Sequence, residues 1–144
     1  MNLYYKIWVD GIVKLRSRPQ NAGLWKFFSM TFMSMAMALN IMVVMAILQR
    51  NILHRNFYEL KIDIFSGTKL EVFVSFFILF LFPPLLINYL LIFRENRYKR
   101  LINKYKNHNG KLFVRYFLSS LMLPFVLLFL GYLWEHQLVS FYIP

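Results

Sequence analysis

The sequence predicts an all-α integral membrane protein with three transmembrane helices, the second kinked at a Pro-Pro pair. An N-terminal interfacial amphipathic helix and a basic cytoplasmic helix extending from the second span complete the expected fold. Three observations carry this reading. The chain of 144 residues is 59% hydrophobic and 19% aromatic, above the roughly 45 to 50% apolar content of soluble domains. Residues 27–48, 70–93 and 112–134 form apolar runs with almost no charge, each longer than the roughly 20 residues that cross a bilayer. The seventeen Lys and Arg residues against six acids cluster on alternate connections, as cationic loops retained on the cytoplasmic side do.

The chain reads as one membrane domain, 1–144, with no room for a soluble domain of ordinary size. Residues 1–18 come first: Asn2, Lys6, Asp10 and Lys14 recur every fourth position among Tyr, Trp, Ile and Val. That spacing puts a narrow polar stripe on a helix whose wide apolar face suits the headgroup boundary, with i,i+4 charges able to pair. The stretch Ser17 to Gly23, SRPQNAG, breaks it before Trp25 anchors the first span. A basic segment precedes that span and no A-x-A-like cleavage site follows it, so it is expected to be a retained anchor rather than a secretion signal.

The first span, 27–48, carries Ser34 and Ala38, a small-x-x-x-small pair that permits close helix approach, and Asn40, which prefers a polar partner to hydrocarbon. Its methionines include Met33 and Met37, two soft thioethers on one face. In this spacing alone the chain resembles small three-span copper importers, which would imply Cu(I) transport. The third span lacks the accompanying G-x-x-x-G, and methionine also fills irregular apolar gaps. Cu(I) or small-molecule transport is therefore ranked below packing.

The external loop, 49–69, contains a segment, residues 59–65, that alternates enough to be extended. Thr68 to Glu71 reads as a capping box opening the second helix. Span 2, 70–93, holds Pro83 and Pro84. Each removes a helical hydrogen bond, to the carbonyls of Leu79 and Phe80, so the helix is expected to bend and to lean on a protein neighbour. Asn88 lies about one turn beyond. A re-entrant hairpin would place the neutral first loop and the basic second loop on one face, so a kinked span is preferred.

Residues 94–111 form a basic cytoplasmic segment in which Tyr98, Leu101, Ile102 and Tyr105 keep helical periodicity and Asn109 with Gly110 supplies a stop. Arg97, Lys99, Arg100, Lys104 and Lys106 surround that stripe. Beside a bilayer they suit anionic headgroups, at about 1 kcal/mol each, or an acidic protein partner; no nucleic-acid target is expected. Span 3, 112–134, has a weak point at Ser119, Ser120 and Pro124. The tail, 135–144, is external. Retention of positive charge then places the N-terminus in the cytoplasm and the C-terminus outside, and the Lys, Asn, Ile, Phe and Tyr content suits an AT-rich bacterial genome, so a bacterial cytoplasmic membrane is expected.

No cysteine is present, which excludes thiolate metal sites and cysteine nucleophiles. His54, Glu59, Asp63, Glu135 and His136 lack any ligand spacing, so no metal and no cofactor is expected. No nucleophile, base and orienting group share a motif, and no acid lies deep in a span, so catalysis and ion-coupled pumping are disfavoured. The leading expectation is a non-catalytic accessory or interaction subunit of a membrane complex, an immunity-type binder included. Its partners would be the bilayer with another membrane protein or copies of itself. The alternative is a homo-oligomeric pore or membrane-perturbing effector, for which the spans offer only Asn40, Asn88 and a few serines as a polar lining.

Overall fold

The computed structural model describes residues 2–21, 23–48 and 69–141, and every element among them is helical. Helix α1 (Asn2–Arg16) leads through a 3-10 turn (Pro19–Asn21) into α2 (Trp25–Leu48). The second long helix is segmented: α3 (Lys69–Phe76), a π turn (Phe77–Leu81), α4 (Phe82–Asn88), a second π turn (Tyr89–Phe93) and a 3-10 turn (Arg94–Asn96) that leads into α5 (Arg97–Lys104). Helix α6 (Lys111–Phe141) closes the chain. The extended segment expected over residues 59–65, and Thr68 of the capping box, lie outside the described residues; α3 begins at Lys69.

Three helices are long and apolar enough to cross a membrane, Trp25–Leu48, Phe73–Lys104 and Lys111–Leu133. At 1.5 Å per residue α2 measures about 36 Å, more than the roughly 30 Å hydrocarbon core. Helix α2 is central and packs against α1, α4 and α6.

Pro83 and Pro84 fall in the first turn of α4, immediately after the π turn. There the Phe82 N–H reaches back five residues to the Phe77 carbonyl. A proline that opens a helical segment has no intrahelical N–H to forfeit, and the wider turn ahead re-registers the chain. At the second π turn the Arg94 N–H likewise bonds the Tyr89 carbonyl.

The basic helix is not a continuation of span 2. Glu95 (φ 55°, ψ 30°) and Asn96 (φ 54°, ψ 31°) are both left-handed, and α5 starts afresh at Arg97. Such a conformation costs an ordinary L-residue about 1–2 kcal/mol, less for asparagine. Helix α5 also stops at Lys104, where Tyr105 turns extended, ahead of the expected stop at Asn109 and Gly110.

Helix α1 departs most from expectation. Its apolar face does not wait for headgroups: Trp8, Val9, Ile12 and Leu15 are buried against protein, in a core with Met33, Ile92, Tyr98 and Phe113. Asp10, placed by periodicity on the polar stripe, is fully buried. Gly11 permits this approach, because a Cβ there would stand 2.7 Å from the Phe113 ring.

Candidate functional site

The chemistry of the molecule concentrates where α1, the end of the second long helix and the start of α6 meet. Helix α6 opens with Gly110 as its N-cap, since the Val114 N–H bonds the Gly110 carbonyl. Glycine supplies the positive φ of 83° needed there but has no side chain to receive the free N–H groups of the first turn. Its first turn also contains no acid. Asp10 makes up the deficit from another helix. Its Oδ2 accepts from Leu112 N–H (2.8 Å) and Phe113 N–H (3.3 Å), and its Oδ1 accepts from Gly110 N–H (2.9 Å) and His108 N–H. One carboxylate thus caps α6, balances the positive end of its dipole and fixes the approach of the 105–110 loop. Lys14, one turn along, donates to Asn109 Oδ1 at 3.4 Å and lays its stem against Gly110.

Around this lock lies an aromatic layer. Trp8 meets Phe93 edge-on at 5.7 Å, and Trp25 meets Tyr98 at 5.3 Å. Tyr5 stacks on Tyr105 at 6.2 Å. Cations rest on its outside: Lys26 over Trp25 and Tyr98, Arg16 over Trp25, and Lys104 over Tyr105, at 5.5 to 6.0 Å. Such contacts orient basic side chains while leaving their charge available. Among the described buried side-chain nitrogens and oxygens, Trp8 Nε1 alone makes no hydrogen bond of good geometry, with the Tyr4 hydroxyl as its polar neighbour.

Deeper in the bundle the expected contact residues form two interhelical groups. Asn88 donates to Ser34 Oγ at 2.8 Å and accepts from the Tyr4 hydroxyl at 2.6 Å. Burial pushes the Tyr4 hydroxyl up to about 12, so it remains a donor at neutral pH. Asn40 donates to Ser120 Oγ at 3.0 Å and to the Tyr116 hydroxyl at 3.4 Å. Ala38 is buried in α2. Ser119 is brought to no partner helix; it is exposed and bonds back to the Tyr116 carbonyl. Met33 is buried, Met35 is exposed and Met37 lies between, a packing gradient around the helix.

The Ser34–Asn88 pair yields a first test. The single changes Ser34→Ala and Asn88→Ala, and the double, should give a coupling of about 0.5 to 2 kcal/mol, the range for hydrogen bonds between membrane helices. Unfolding of the four proteins in mixed micelles would measure it. Additive losses would show that the two side chains act apart.

Of the expected cationic residues, Lys99, Arg100, Lys104 and Lys106 are exposed and Arg97 is half-buried. Glu95 pairs with Arg94 at 3.4 Å and Arg97 at 3.9 Å. Among the described residues no group of three or more His, Cys, Asp or Glu could hold a metal ion. Sequence reasoning missed the role of Asp10. The signal was present: it is the only acid before Glu59, and the third helix starts at Asn109 and Gly110 with no capping acid of its own. Comparison with protein-family models, with curated proteins and with solved structures finds no match.

Proposed function

We propose that this chain is a non-catalytic, multi-pass interaction subunit of a membrane complex, seated in a bacterial cytoplasmic membrane with its basic end on the cytoplasmic face and its C-terminus outside. Support comes foremost from how its surface divides. Asn40 with Ser120 and Asn88 with Ser34 bond across the spans, and the one buried acid among the described residues, Asp10, is occupied by backbone N–H groups. What faces outward along the spans is apolar, and what gathers at one end is cationic. Those surfaces suit helices, lipid tails and anionic groups.

The partner face is assigned to α6. Only 11% of its apolar window is buried within the chain, against 28% for α2 and 22% for the second long helix. Phe125 and Phe129, one turn apart, are each 62% exposed. Native mass spectrometry of the protein, gently extracted from its own membrane, should show other polypeptides in fixed ratio. Phe125→Ala with Phe129→Ala should weaken that association about tenfold or more, as loss of aromatic anchors does. A defined multimer of this chain alone, conducting in liposomes, would replace this reading with the pore.

A further inference from the structure

Between α1 and the junction of the second long helix with α5 lies a groove of about 300 Å³, lined by Tyr5, Leu91, Glu95, Arg97, Arg100 and Leu101. That volume is at the small end of ligand sites. Its two walls differ in chemistry. Tyr5, Leu91 and Leu101 are partly buried and pack on the aromatic core, giving a fixed apolar side. Arg97 and Arg100, one turn apart on α5, give the cationic side. The left-handed pair Glu95 and Asn96 sets the angle at which α5 leaves the span, and so holds the two arginines over the groove rather than along the helix axis.

We propose that this groove is a stoichiometric site for one anionic phospholipid, its phosphate held by Arg97 and Arg100 and the first carbons of its chains against Leu91, Leu101 and Tyr5. The proposal rests on the membrane reading above and narrows it, from a diffuse basic end to one binding site. Guanidinium groups match phosphate oxygens bidentately, which an ammonium cannot do. Leu91 belongs to the last apolar turn of the span and Arg94 to the first polar position after it, so the groove opens at the level where headgroup meets chain. A free phosphate would leave the apolar wall uncovered. Glu95, 3.9 Å from Arg97, is the internal competitor: its carboxylate holds the guanidinium that a headgroup would take.

The test measures binding of phosphatidylglycerol, phosphatidylethanolamine and phosphatidylcholine to the delipidated full chain by native mass spectrometry. Glycerol phosphate serves as the soluble competitor. Phosphatidylglycerol should bind one to one, and Arg97→Gln with Arg100→Gln should weaken it about tenfold or more. Lys99→Gln with Lys106→Gln, the same charge loss outside the groove, should change it less than about threefold, and Glu95→Gln should tighten it. Equal losses in the two double variants would overturn the groove while leaving the general anionic attraction intact. No preference for phosphatidylglycerol in any form would overturn both. Weaker lipid binding in Glu95→Gln, with phosphatidylethanolamine preferred, would show that Glu95 receives an ammonium and would overturn the anionic assignment. Displacement by glycerol phosphate at concentrations equal to the lipid would show that the apolar wall is not used.

Discussion

Replacing Asp10 with alanine is expected to destabilise the chain by about 2–5 kcal/mol, since buried N–H donors left without an acceptor cost about 1–3 kcal/mol each. Four backbone N–H groups, those of His108, Gly110, Leu112 and Phe113, would lose their acceptor together. Because Gly110 cannot replace the cap, no local side chain would compensate. Asp10→Asn separates the chemistry from the shape. The amide is isosteric, but one of its two ends carries hydrogens and would face N–H donors, so the loss should approach that of alanine. Thermal unfolding in micelles measures the cost. Tryptic cleavage at Lys106, on the exposed 105–110 loop, should accelerate in the same order as α6 loses its tether. If the asparagine variant unfolds like the parent, Asp10 acts by filling space and the cap assignment fails.

Trp8→Ala should cost a comparable amount, about 3–5 kcal/mol, the usual range for truncating a large buried aromatic. Trp8 is fully buried and touches Tyr4 and Phe93, so the vacancy opens at the centre of the layer joining α1 to the rest. Trp8→Phe keeps one aromatic ring and should lose clearly less than Trp8→Ala, the remaining cost being the cavity left by the second ring. The Trp8 indole N–H makes no hydrogen bond of good geometry and has only the neighbouring Tyr4 hydroxyl to interact with, so most of the loss is packing. A phenylalanine variant as unstable as the alanine one would mean that the full indole, and not an aromatic ring as such, holds the layer together.

These two costs exceed those expected for Ser34 and Asn88 for a physical reason. Between spans, lipid tails are as apolar as the side chains they replace, so helix association gains little from the hydrophobic effect. At the basic end, where the chain stands clear of the hydrocarbon on the orientation proposed, α1 buries aromatic area that water would otherwise wet. The contacts that α1 makes are therefore expected to contribute more stability than the polar contacts between the spans.

The sequence by itself determined what depends on local composition and period. Long apolar runs must lie where water is absent or unwelcome, and that requirement pointed to the three helices long and apolar enough to cross a membrane. It also named Asn40 and Asn88 as polar groups needing partners, since an amide in an apolar run has no other way to satisfy itself. Only the tertiary structure decided which groups meet. Asp10 was read as one member of an exposed stripe because Asn2, Lys6 and Lys14 share its spacing, and periodicity cannot distinguish a stripe facing water from one facing another helix. The first turn of α6, one hundred residues away from Asp10 at Gly110, turned the third of the four members of that stripe into a buried cap. The break at Glu95 and Asn96 was equally hidden, because neither residue forbids a helix. Their left-handed conformation gives α5 its separate direction beside α1, a relation between distant segments that no local pattern encodes.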